Sequence, residues 1–129
     1  MTWLIVAALN LALAVITGAF GAHGLKARLS PEQLGWWHTA VEYHFIHALG
    51  LLALGVLLRL APALPATGTL PTAAVSTSAL WLQAGIFIFS GSLYAMALGA
   101  PRWFGAITPI GGLAFIIGWL WLAWTLARS

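Results

Sequence analysis

At 129 residues, with 62% hydrophobic and 5% charged side chains, the chain lacks the polar material for a water-facing surface, which in a soluble domain takes about 25% charged residues. Five Lys and Arg against two Asp and Glu give a formal net charge of +3, but the basic residues stand one or two per connection and form no patch for nucleic acid. Without cysteine there is neither a disulfide nor a thiolate ligand.

Crossing a bilayer takes about 20 mostly apolar residues, and four such runs occur, at 3–22, 36–60, 79–100 and 104–126. The first has small residues at its end, as a signal peptide would. It carries no basic residue ahead of it and exceeds a 7–15-residue signal core, so it is expected to be a permanent helix. Between the first two runs, Lys26 and Arg28 alternate with Leu25 and Leu29, which suits a segment lying along the membrane surface. Ser30-Pro31-Glu32-Gln33 has the hydroxyl, the proline and the Gln of a capping box, so the second helix should begin near Pro31 and run to Leu60. The stretch 61–78, rich in Pro, Ala and Thr and without charge, reads as an irregular loop. The fourth run opens with Thr108-Pro109-Ile110-Gly111-Gly112, where Pro109 is expected to open or kink the helix and the paired glycines leave room for another helix or a ligand.

Tryptophan favours membrane interfaces, and four spans place Trp3, Trp81 and Trp124 with Arg59 and Arg128 on one side, and Trp36, Trp37 and Trp103 with Lys26, Arg28 and Arg102 on the other. The positive-inside rule then favours both termini outside, by three basic residues against two. The expected fold is an all-α, four-transmembrane-helix bundle: an integral membrane protein forming a single domain over 1–129.

Glu42 and His47 lie inside the second run. An ionisable group in hydrocarbon costs about 2.5–3.5 kcal/mol on insertion scales, so such residues usually face a bundle interior. At 100° per residue, His38 and Glu42 share one helix face, while His44 and His47 share a nearly opposite one. A helix with polar groups on two faces should be central, contacted from several sides. Glu42 is expected to pair with His38, His23, Lys26 or Arg102. His47, near mid-bilayer, is expected to pin the second helix to the third through two of Ser90, Ser92, Tyr94 and Thr108, since a neutral imidazole has one donor and one acceptor. The stripes Gly91/Ala95/Gly99 and Ala14/Gly18/Ala22 suit close helix packing.

His38/Glu42 and His44/His47 have spacings compatible with metal ligation from one helix, but the third and fourth spans contain no His, Glu, Asp or Cys to complete a site. Neither a bound metal nor another cofactor is expected. No phosphate loop or hydrolase motif is present, so enzyme activity is not expected either.

Four ordered phrases support a family resemblance: Gly18-Ala19-Phe20-Gly21-Ala22-His23-Gly24-Leu25; Trp37 followed by Ala40, Glu42, Tyr43 and His47; Phe89-Ser90-Gly91-Ser92-Leu93-Tyr94; and Thr108-Pro109-Ile110-Gly111-Gly112 with Gly118-Trp119. Over nearly the whole chain they closely resemble the domain of unknown function 423 family of small bacterial inner-membrane proteins, whose eukaryotic counterpart is transmembrane protein 256. The Pro/Ala/Thr loop is longer than that pattern leads one to expect. The resemblance implies four membrane helices in the bacterial inner (plasma) membrane and brings no activity with it. It implies that His23, Glu42, Tyr43, His47, Ser90, Ser92, Tyr94, Thr108 and Pro109 belong to the shared pattern, with His38 and His44 peripheral. Two readings of these polar residues stand. They belong to a structural or accessory membrane protein, or to a small oligomeric transporter or channel moving protons or a ligand. The partners expected are the lipid bilayer and a homo-oligomer or another membrane protein.

Overall fold

The computed structural model describes residues 1–65 and 70–129. Its helices are α1 (Thr2–His23), α2 (Pro31–Leu60), α3 (Thr72–Gly85), α4 (Gly91–Ala97) and α5 (Thr108–Ala127). A π-helical turn, Ile86–Ser90, joins α3 to α4 without a break in direction. Short 3₁₀ turns, Ala61–Ala63 and Arg102–Ala106, extend α2 and precede α5. Four segments among the described residues are long and apolar enough to cross a membrane: Thr2–His23, Pro31–Ala63, Thr72–Ala97 and Arg102–Ala127.

The capping box forms as the sequence predicts. The Ser30 hydroxyl accepts from the Gln33 amide at 3.2 Å, and the Ser30 amide donates to Gln33 Oε1 at 2.9 Å. Before it, Leu25 is buried with Trp37 and Ala97, while Lys26 and Arg28 stay exposed.

The third span differs from its expected bounds. Helix begins at Thr72, directly after Pro71, so the last residues of the loop expected over 61–78 are helical. Thr, Ala and Ser there are too weakly apolar to read as a span, but Val75 and Ala79 are fully buried, and that packing fixes the helix. Within that loop, 66–69 lie outside the described residues. The span ends at Ala97, three residues early, where Gly99 takes a φ of 107° open to glycine.

α2 is the central helix. It packs along α1, α3 and α4, and it meets α5 where His47 stacks on Phe115 at 3.5 Å between ring centroids. The main core joins Ala7, Leu51, Leu54, Val75, Leu82 and Phe115 from four helices. Gly111 of α5 lies against the backbone of Phe89 in the π turn, so closely that a Cβ would collide with the Phe89 amide. The wide turn and the glycine thus meet at one crossing.

Two tryptophans depart from a lipid-facing interfacial belt, Trp37 by its burial in the protein and Trp81 by its level along the bundle. Trp37 is 4% exposed and donates from Nε1 to the Thr17 carbonyl at 2.8 Å, over Gly21, whose missing Cβ admits the ring. Trp81 lies level with Gly118, six residues and about 9 Å short of Trp124. Bonding and packing inside the protein satisfy the Trp37 ring in place of the headgroup region, while Trp81 stays exposed.

Candidate functional site

The polar interior is built around His44, which is 1% exposed. Its Nε2 stands 3.2 Å from Asn10 Oδ1, and its Nδ1 stands 3.1 Å from the Tyr94 hydroxyl. An amide oxygen only accepts, so Nε2 carries the proton and donates to Asn10; Nδ1 of the neutral ring then accepts from Tyr94. Asn10 spends its two N–H groups on Gln83 Oε1 at 2.7 Å and the Val6 carbonyl at 2.9 Å. Thr17 Oγ1 lies 3.0 Å from the Tyr94 oxygen and 3.1 Å from the Ala14 carbonyl. Gln83, Asn10, His44, Tyr94 and Thr17 therefore form one chain of hydrogen bonds linking α1, α2, α3 and α4. Trp37 caps it, its ring 4.7 Å from that of Tyr94.

The positions follow from helix periodicity. Asn10 and Thr17 are seven residues apart and share the α1 face toward α2. His44 lies seven residues past Trp37, about 10 Å along α2, which sets the chain well inside the hydrocarbon. There an unmet polar group costs several kcal/mol. Among the described residues, every buried side-chain nitrogen and oxygen has a partner.

The eight residues singled out from the sequence fall into separate places. Tyr94 belongs to the chain just described. Ser92 and Thr108 bond each other at 2.6 Å and tie α4 to the start of α5. Ser90 is fully buried and donates to the Ala40 carbonyl at 2.8 Å, tying the π turn to α2. His47 is 5% exposed, as expected, but its Nδ1 donates to the Tyr43 carbonyl of its own helix at 2.8 Å. None of Ser90, Ser92, Tyr94 or Thr108 is its partner, and the pin between the second and third spans is corrected accordingly. The His47 ring instead lies at 10° to the Phe115 ring, an aromatic contact with α5. Tyr43 is half-exposed and packs on Phe89 at 4.4 Å. His23 is exposed at the end of α1.

Glu42 is the main departure. It is exposed, as is His38, and among the described residues it has no hydrogen bond or ion pair. None of His38, His23, Lys26 and Arg102 pairs with it; Arg102 instead pairs with Glu32 at 3.2 Å and lies over the Trp36 ring at 5.9 Å. Of the two polar faces of α2, the one with His44 and His47 turns inward and the one with Glu42 turns out. The reason is steric. Small residues on α1 let Trp37 and Val41 approach, and Gly50 admits the Trp119 ring, so neighbours take those sides of the helix.

Asn10, Thr17, Gln83 and His44 are site residues that reasoning from charge passes over. Two amides inside apolar runs were the available signal, because each must find a partner in lipid.

The fold and its interior define the protein as an all-helical, multi-pass membrane protein whose buried polar groups are bonded to one another. The family described as "Protein of unknown function (DUF423)" matches residues 17–112. The UPF0382 membrane protein YwdK of Bacillus subtilis (strain 168) is 47% identical over 119 residues, covering 92% of this chain and 89% of that protein. A UPF0382 membrane protein of Staphylococcus saprophyticus is 48% identical over 124 residues, covering 93% and 92%. This chain belongs to that family of membrane proteins of unknown function. No solved structure matches it.

Proposed function

We propose that the protein is a non-enzymatic structural or accessory component of the bacterial plasma membrane, working in assembly with a second copy or with another membrane protein. The observation that carries this reading is the complete satisfaction of the buried polar groups among the described residues. A site that recognises a substrate holds donors or acceptors available for it. Here Thr17, Tyr94 and His44 spend their protons in turn on Tyr94, His44 and Asn10, and Asn10 spends its two on Gln83 and the Val6 carbonyl. Outer-membrane proteins span as β-barrels, so an all-helical chain supports the plasma membrane. Lys26, Arg28 and Arg102 support a cytoplasmic side for their connections.

The test is reconstitution of the purified protein in liposomes carrying an internal pH dye and a potassium gradient with valinomycin. The expected result is the proton leak of protein-free liposomes. A leak that rises with protein content and is abolished by Glu42→Gln or His44→Phe would overturn the reading in favour of a proton pathway.

A further inference from the structure

Glu42 lies within a membrane-spanning segment, five residues or about 8 Å past Trp37, and it is exposed on the surface of the single chain. It lies on the α2 face left open between α1 and α5. His38 lies on that face one turn earlier, and Ile46, Leu49, Ala53 and Val56 continue it, all exposed. From His38 to Val56 this face runs eighteen residues, about 27 Å, most of the thickness of the hydrocarbon. A carboxyl facing lipid there is unfavourable until it gains a donor.

We propose that two copies of this chain pack α2 against α2 along this face, with Glu42 of each copy hydrogen-bonded to His38 of the partner subunit. The proposal rests on the assembly reading above and specifies its partner. The case for a second copy is complementarity: one face carries both the acceptor and the donor. In a two-fold interface each residue meets the other's position twice, so an acid and an imidazole one turn apart form two reciprocal pairs. Copies of one membrane protein insert in the same orientation, so the axis lies along the membrane normal and the two α2 helices run parallel. The two positions are offset by one turn, about 6 Å along parallel helices, a gap that the long Glu42 side chain spans by extending toward the N-terminal end. Apolar contact alone gives little association in lipid, where polar bonds and close packing drive it. The Glu42–His38 pairs supply the first, and Ala53 gives room for the second.

The absence of cysteine in the chain makes the test direct. Single-cysteine variants Ile46→Cys, Leu49→Cys and Ala53→Cys on this face, with Leu9→Cys and Leu120→Cys as exposed controls on α1 and α5, are oxidised in native membranes. The expected result is a disulfide-linked dimer of this chain from the α2 positions, well above the controls. In the Leu49→Cys background, Glu42→Ala should lower dimer yield about tenfold, since two membrane hydrogen bonds are lost. The exchange H38E with E42H should restore it. Thermal melting in detergent should show the Glu42→Ala chain folded, because the side chain bonds nothing within one copy. Equal cross-linking at the controls, no dimer from α2, or a yield indifferent to Glu42→Ala would overturn the proposal. Adducts from α2 to a different protein alone would overturn the self-association and leave the accessory reading standing. Proton leak in liposomes, with the α2 dimer intact, would remove that reading and not the interface.

Discussion

Replacing His44 by Leu removes two side-chain hydrogen bonds from the interior, those to Asn10 Oδ1 at 3.2 Å and to the Tyr94 hydroxyl at 3.1 Å. The Asn10 oxygen is left with no donor, while Tyr94 retains Thr17 at 3.0 Å. Side-chain hydrogen bonds between membrane helices average about 0.6 kcal/mol and reach about 1.7 kcal/mol. Two of them, one leaving an orphaned acceptor, give an expected loss of about 1–3 kcal/mol. The comparison that isolates the network is His47→Leu. That ring makes one hydrogen bond, to a carbonyl of its own helix, and its contact with Phe115 is apolar stacking that Leu partly replaces. Its loss is expected to stay below about 1 kcal/mol. Unfolding by SDS titration from mild detergent micelles, followed by tryptophan fluorescence, measures both. A His44→Leu protein as stable as the parent, or one more stable than His47→Leu, would refute the assignment of the network to His44.

Gly111→Ala is expected to cost about 1–3 kcal/mol in the same titration, because the new methyl meets the Phe89 backbone and no side chain can move aside. Ser30→Ala removes the acceptor for the Gln33 amide and should cost about 1 kcal/mol, read as a lower melting temperature. Arg102→Ala breaks an ion pair whose side chains are 80% and 58% exposed, so stability should change by less than about 1 kcal/mol. Ala27→Cys, in a chain otherwise free of cysteine, is expected to label with a membrane-impermeant maleimide only from the cytoplasmic face of sealed vesicles.

Much of the architecture was legible because lipid demands it. Apolar runs of span length located the membrane segments, and four residues from Ser30 to Gln33 specified the start of α2 down to its two capping bonds. The first two turns of α3 were not legible, since Thr72–Ser78 has loop-like composition and only the burial of Val75 reveals its helical register. The π turn at Ile86–Ser90 left no local signal; it accommodates the crossing of α5 at Gly111. For the site, the sequence separated two polar faces of α2 but not which one turns inward. That choice depends on glycines of other segments and on Gly50, which decide where neighbouring helices approach. A ranking by charge put Glu42 first, whereas the interior was assembled from neutral amides, hydroxyls and His44.

The central claim is that one hydrogen-bonded chain holds α1 to α2 inside the membrane. A double-mutant cycle on the unfolding free energy, using Asn10→Leu, His44→Leu and the pair together, tests it most directly. The two residues are in contact, so a coupling of about 0.6–1.7 kcal/mol is predicted, with the double variant losing less than the sum of the single ones. Strictly additive losses would contradict the account.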